Sequence, residues 1–187
     1  MLFPVFLKLT GRTVLVVGGG QVAAAKLGAL LAAGASVRVV APHVADGIEQ
    51  PGVAIERRPF EPRDLDDVWL VVAAATPEVN RQVAAAAETR RVFVNAVDDP
   101  ANASAYLGGV VRRAGVTFAI STDGRAPALA GLLREGLEAL LPEAELEQWL
   151  VTAERERRAW RAQGTALEKR RPRLLDALVR RHGGADG

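Results

Sequence analysis

Three consecutive glycines, Gly18, Gly19 and Gly20, followed by Ala23, have the GxGxxA spacing that can cradle a phosphate, read at Gly18, Gly20 and Ala23. In such a turn the first glycine adopts a backbone angle closed to other residues and the second lets a pyrophosphate approach the main chain. The third, small residue lets helix and strand pack closely. The amides that open the following helix then face the anion. Gly19, Gln21 and Val22 complete the candidate cofactor-binding set at this turn, with Pro42, His43 and Thr76 added from later strand ends. Asp98 heads the run Asp98-Asp99-Pro100, which by composition alone reads as a strand-ending turn.

These residues need elements to hold them. The aliphatic run Val14-Leu-Val-Val17 has the continuous apolar character of a buried parallel strand, and Val22 to Ala33 has helix composition, with Gly34 as its stop. Val37 to Val40 closes a first strand–helix–strand unit, and its end carries Ala41, Pro42 and His43. An acid commonly stands there for the ribose hydroxyls. None occurs before Asp46, so these residues leave NAD and NADP both open. Val53 to Glu56 and Val68 to Ala73 read as strands, with a two-proline connection from Pro59 to Asp67 between them. Thr76 and Pro77 give the N-cap and first-turn signal of a helix running to Arg90, and Val92 to Val97 is a further strand. Ligands of open α/β sheets gather outside the carboxyl ends of strands, so Gly18, Ala41, Thr76 and Asp98 are expected around one crevice.

Beyond residue 100 the pattern changes. Tyr106–Val111 and Val116–Ser121 read as a hairpin turning at Arg112 to Gly115. Pro127 to Leu141 is an amphipathic helix whose stripe of Leu129, Leu132, Leu133, Leu137 and Leu140 demands a partner, either core or dimer interface. Leu146, Trp149, Leu150, Ala153 and Trp160 outline another helix, and Leu174, Leu175, Leu178 and Val179 a last one beginning near Pro172. Glycines 183, 184 and 187 predict a frayed end.

A chain of 187 residues, nearly half of them apolar, can bury a core. It has no cysteine, which excludes disulfides, thiolate metal sites and a cysteine nucleophile, and suits a reducing cytoplasm. Only His43 and His182 could supply imidazole, and no metal site is expected. The apolar stretch from Met1 to Leu9 is short, lacks a cleavage signal and is read as part of the fold; no run is long enough to cross a bilayer. Residues 154–182 hold ten Lys or Arg against four acids, leaving the remainder at −4. Their interleaving with apolar residues, without an aromatic ladder, reads as solvated helix faces rather than a nucleic-acid surface.

Five segments together resemble the precorrin-2 dehydrogenase module of siroheme biosynthesis. They are Pro4-Val-Phe-Leu-Lys-Leu9, Val16 to Lys26, Ala74-Ala-Thr76 with Asn80, Val94-Asn-Ala-Val-Asp98-Asp-Pro100, and Ile120 to Ala130. The resemblance runs in order over roughly residues 1–142 and is far more specific than one glycine motif. It implies a Rossmann-like α/β fold divided as an NAD-binding domain at 1–112, a dimerisation region at 113–145 and a helical domain at 146–187. It further implies NAD-dependent oxidation of precorrin-2, a carboxylate-rich tetrapyrrole, to sirohydrochlorin by a homodimer in its stand-alone form. Asp98 matches the family's catalytic carboxylate, and Thr122, with Ser121, matches a hydroxyl-rich substrate loop. If the chain also inserts iron, as some relatives do, one carboxylate could serve both steps.

The chain departs from the family pattern at Ala25, Ala105, Gly108 and Ala126. At Ala126 an expected serine N-cap is missing, so Thr122 or Asp123 would have to cap. Thr122 could equally spend its hydroxyl on a local turn, and Asn80 could be a solvent-exposed helical position. The alternative from another class is a non-catalytic dinucleotide sensor or nucleic-acid binder using the glycine turn and the basic tail.

Overall fold

The computed structural model describes residues 2–182 and divides them into two compact units that meet in sequence between Leu107 and Gly108. The frayed end expected at 183–187 lies outside the described residues.

The first unit is a five-stranded, all-parallel sheet in the order β3-β2-β1-β4-β5. Its strands are β1 (Thr13–Val17), β2 (Ser36–Val40), β3 (Val53–Glu56), β4 (Leu70–Ala73) and β5 (Phe93–Ala96), with helices α1 (Gln21–Ala32) and α2 (Pro77–Arg90). Parallel strands with both faces covered bury their side chains on both sides, which is why β1 and β4 read as unbroken aliphatic runs. Val14, Val16, Val37 and Val39 form one core with Leu27 and Leu30 of α1. On the opposite face Leu15, Val17, Val40 and Val71 form a second core with Val83 and Ala87 of α2. The strand order reverses at β1, between β2 and β4, and the carboxyl ends beside such a reversal form the crevice of doubly wound sheets.

The connection from β3 to β4 contains a 3-10 turn, Pro62–Leu65, anchored by ion pairs. Asp64, 2% exposed, accepts hydrogen bonds from Arg58 at 2.6 and 2.9 Å and from the Glu61 N–H at 2.8 Å. Arg38 of β2 donates to the Asp64 carbonyl at 2.5 Å and to Glu56 at 3.4 Å. Burial alone would raise the Asp64 carboxyl, but the Arg58 and Glu61 hydrogen bonds and the charges of Arg58 and Arg38 outweigh it and hold it below the usual carboxylate range.

The second unit begins with the antiparallel hairpin β6 (Gly109–Arg113) and β7 (Val116–Ile120). Arg112 and Arg113 lie within β6 rather than in the turn, which is made by Ala114 and Gly115 alone, with φ of 48° and 77°. Two consecutive positive φ values give a turn whose twist matches paired strands. Helices α3 (Pro127–Leu140), α4 (Glu143–Gln163) and α5 (Leu167–His182) follow. Helix α5 starts five residues before Pro172, so this proline sits inside it and deprives one turn of its main-chain hydrogen bond.

Apolar side chains stay uncovered near the N-terminus and on α3. Among the described residues from Leu2 to Leu9, only Leu9 enters the core; Phe3, Val5 and Phe6 are 87%, 58% and 73% exposed. The reading of this stretch as an integrated part of the fold is thus corrected to one anchored residue. In α3, Ala130 is the buried residue, whereas Leu129, Leu132, Leu133 and Leu140 are exposed.

Candidate functional site

A backbone ladder continues one residue past the strands of the first unit. Ala41 N–H donates to Glu56 O at 3.1 Å, Gly18 to Val40 O at 3.0 Å, Ala74 to Val17 O at 2.8 Å and Val97 to Ala73 O at 3.0 Å. Ala41, Gly18, Ala74 and Val97 are therefore level across four strand ends. The glycine turn, Pro42, Ala75 and Asp98 follow one step further out. With strands 4.7–4.9 Å apart and Asp98 two strands from β1, about 10 Å separates the glycine turn from the Asp98 main chain. Gly18, Ala41, Thr76 and Asp98 thus share the carboxyl edge of one sheet, as their order in the sequence suggests.

The three glycines differ in what they do. Gly18 has φ +119°, and a Cβ there would lie 2.2 Å from Ala74 O. A Cβ on Gly19 would lie 2.0 Å from His43 O, and the Gly19 carbonyl accepts a 2.6 Å hydrogen bond from Ala45 N–H. Gly19 therefore clamps the loop after β2 onto the turn. A Cβ on Gly20 would meet nothing within 4 Å. That residue is the N-cap of α1, with no side chain on the helix end and no acid in the first turn. Ala23 is fully buried beneath it. Open space over a glycine at an uncapped helix N-terminus, where the macrodipole is positive, fits the pyrophosphate of a dinucleotide. Gln21 and Val22 flank this opening, and exposed Pro42 and His43 line the adjoining loop.

Thr76 is the N-cap of α2, but its hydroxyl does not cap the helix. Glu78 is lowered below the usual carboxylate range first by its own backbone N–H and then by the Thr76 hydroxyl. Asn80 is buried, not the exposed position that composition allowed. Its Oδ1 accepts the Ala75 N–H at 3.0 Å, and its N–H donates to Thr76 O at 2.9 Å. It shapes the turn between β4 and α2.

Asp98 is exposed and sits in the left-handed region, φ +56°. Among the described residues no hydrogen bond or ion pair engages its carboxylate. Asp99, by contrast, accepts the Asn102 side-chain N–H at 2.7 Å within the 3-10 turn Pro100–Asn102. The chain then folds back on the edge strand: Ser104 and Ala105 N–H donate to Val94 O at 2.9 and 2.8 Å. Val94 N–H donates to the Ser104 hydroxyl at 2.9 Å, and the Asn95 side chain donates to Ala105 O at 3.0 Å. Asn95, 8% exposed, was missed by sequence reasoning. Its signal was a lone amide in an otherwise apolar strand.

Ser121 and Thr122 belong to the second unit. Ser121 Oγ accepts Asp123 N–H at 3.2 Å, and Thr122 Oγ1 accepts Ala126 N–H at 3.2 Å. Thr122 thus serves the helix start left without a serine at 126, and its hydroxyl proton remains available for a ligand. A Cβ on Gly108 would lie 1.9 Å from Ile120 O, so hairpin backbone fills the space that a side chain would take there. Among the described residues no group of three His, Cys, Asp or Glu gathers as a metal site, and no helix is long and apolar enough to cross a membrane.

Known proteins bear on this geometry in three ways. The "Siroheme synthase" of Photorhabdus laumondii is 45% identical over 144 residues, 74% of this chain and 31% of that protein. "Siroheme synthase 1" of Serratia proteamaculans is 42% identical over 165 residues, 86% of this chain and 34% of that protein. The chain thus spans about a third of the length of these curated relatives. The solved structure of "SirC, precorrin-2 dehydrogenase" superposes with a TM-score of 0.69 at 25% identity, covering 94% of this chain and 88% of the other. The family described as "Putative NAD(P)-binding" matches residues 5–109, the segment that contains the glycine turn, the strand-end ladder and Asp98. With more than half its length inside that match, the chain belongs to this NAD(P)-binding family.

Proposed function

We propose that this protein is an NAD-dependent precorrin-2 dehydrogenase, oxidising a carboxylate-rich tetrapyrrole to sirohydrochlorin. The observation that carries this reading is the shared carboxyl edge, with open space over Gly20 at the α1 N-terminus and an unengaged carboxylate at Asp98 two strands away. The family, the siroheme synthase relatives and the likeness to SirC support it. NAD, when bound, supplies the hydride acceptor. Gly20, Gln21 and Val22 hold its pyrophosphate at the α1 N-terminus, while Pro42, His43 and Thr76 border the rest of its path. Asp98 accepts the proton that the tetrapyrrole loses as the hydride leaves, and its freedom from salt bridges leaves that carboxylate available as a base. Thr122 and Ser121 contact the substrate. The absence of cysteine suits a reducing cytoplasm.

The working form is a homodimer. The exposed Leu129, Leu132, Leu133 and Leu140 of α3 form an apolar face of the kind that pairs with a second copy, over the proposed dimerisation region at 113–145. A second reading adds iron insertion into the product. The same free Asp98 carboxylate favours it, since chelation must strip pyrrole protons and the metal is then substrate.

Anaerobic incubation with precorrin-2 and NAD tests the proposal. NADH and sirohydrochlorin should form in equal amounts; formation no faster than without protein would refute it.

A further inference from the structure

We infer that Asn95 is a positioning residue for Asp98, acting through the loop that joins them. This inference rests on the reading of Asp98 as the base. Strand β5 ends the sheet, so Val94 presents its N–H and C=O outward. Both are already satisfied by the returning chain, through the Ser104 hydroxyl at 2.9 Å and the Ser104 and Ala105 N–H groups at 2.9 and 2.8 Å. The edge therefore does not require a side-chain amide in β5.

Asn95 is nevertheless an amide 8% exposed, in register with Val72 of β4, on the face where Val97 and Ala105 pack against the α1-side core. A buried amide is costly where an aliphatic side chain would suffice, and it persists where its hydrogen bond does something a methyl group cannot. Its Nδ2 donates to Ala105 O at 3.0 Å, fastening the return arm of the loop to the strand from which the loop departs.

Between these fixed ends Asp98 holds φ +56°, a left-handed conformation that aspartate adopts more readily than most residues but at some cost, which the fixed loop ends sustain. Within the loop, Asp99 N–H donates to Ala96 O at 3.4 Å, and the Asn102 amide and the Tyr106 hydroxyl donate to Asp99 and to Pro100 O at 2.7 and 3.2 Å. None of these engages the Asp98 carboxylate. The loop is braced while this group is left free.

The experiment is a double-mutant cycle on anaerobic turnover by the full chain: wild type, Asn95→Val, Asp98→Asn and the double variant, each with its melting temperature and NAD affinity. Amide hydrogen exchange over residues 97–105 is followed in parallel. Asn95→Val should lower kcat by up to about 100-fold, the scale of a misplaced catalytic group, with NAD affinity retained and exchange raised in that loop alone. In the Asp98→Asn background it should cost no more than about twofold. Asn95→Thr, a polar replacement suited to a strand that removes the Nδ2 donor to Ala105 O, should show the same non-additivity if Asn95→Val does not fold. Equal losses in both backgrounds, or unchanged exchange in 97–105, would overturn the positioning role. Full activity in Asp98→Asn would overturn the assignment of the base as well, and an inactive wild type would overturn the reaction itself.

Discussion

Gly19 and Gly20 are neighbours that lack a Cβ for different reasons, and substitution separates them. Alanine at 19 meets the His43 carbonyl at 2.0 Å, backbone that cannot swing aside. Gly19→Ala should cost about 2–3 kcal/mol of stability, read by chemical denaturation. Alanine at 20 adds a Cβ that meets nothing within 4 Å, so Gly20→Ala should lose no more than about 1 kcal/mol, the scale of an N-cap change, while weakening NAD about tenfold or more, read by calorimetry. The sequence motif names Gly18 and Gly20 but is silent on Gly19, because the His43 carbonyl arrives from a loop more than twenty residues away in the chain. Asp98 was legible as a strand-end residue, since an aliphatic run stops in front of it. Its left-handed backbone and free carboxylate were not, because no local pattern fixes the φ of an aspartate or shows which partners a loop leaves out of its reach. At Thr122 the local hydrogen bond expected of a turn hydroxyl is what forms.

At the scale of elements, the centre of the sheet was legible because β1 and β4, buried on both faces, read as aliphatic runs. Helix α1 carried its stop signal in Gly34 and α2 its start signal in Thr76 and Pro77, whereas the left-handed Arg91 that ends α2 gave none. What failed was where local signals and context diverge. Pro172 marked a helix start in the sequence but lies inside α5, and the N-terminal apolar run fills the core only at Leu9. The 3-10 turn between β3 and β4 was hidden in a connection with two prolines, because its anchor is the buried Asp64 carboxylate and its Arg58 partner rather than a periodic pattern. That anchor gives a pH signature. The Asp64 carboxyl is lower in the folded chain than in the unfolded one, so its stabilisation is complete above about pH 4 and is lost as pH falls through the folded value. Asp64→Asn should therefore cost about 2 kcal/mol at neutral pH, and the gap to wild type should narrow in acid. Denaturation midpoints measured from neutral pH downward check both; a gap constant with pH would refute the assignment.

At the scale of the molecule, the described chain forms two units: a parallel sheet carrying the glycine turn and Asp98, and a hairpin with three helices carrying Ser121 and Thr122. The leucine stripe of α3 was visible as a surface needing a partner, and within this chain it stays uncovered. Leu132→Asp with Leu133→Asp should shift the protein from dimer to monomer in sedimentation at micromolar concentration, with the sheet unit still folded. A wild-type monomer would contradict the interface. The reaction assigned to the molecule stands on Asp98, and the most direct measurement compares wild type with Asp98→Ala in anaerobic turnover of precorrin-2 and NAD. Wild type should form NADH and sirohydrochlorin, and Asp98→Ala should lose about 100-fold to 10,000-fold in rate with NAD binding intact. Equal rates in the two proteins would contradict the role of Asp98.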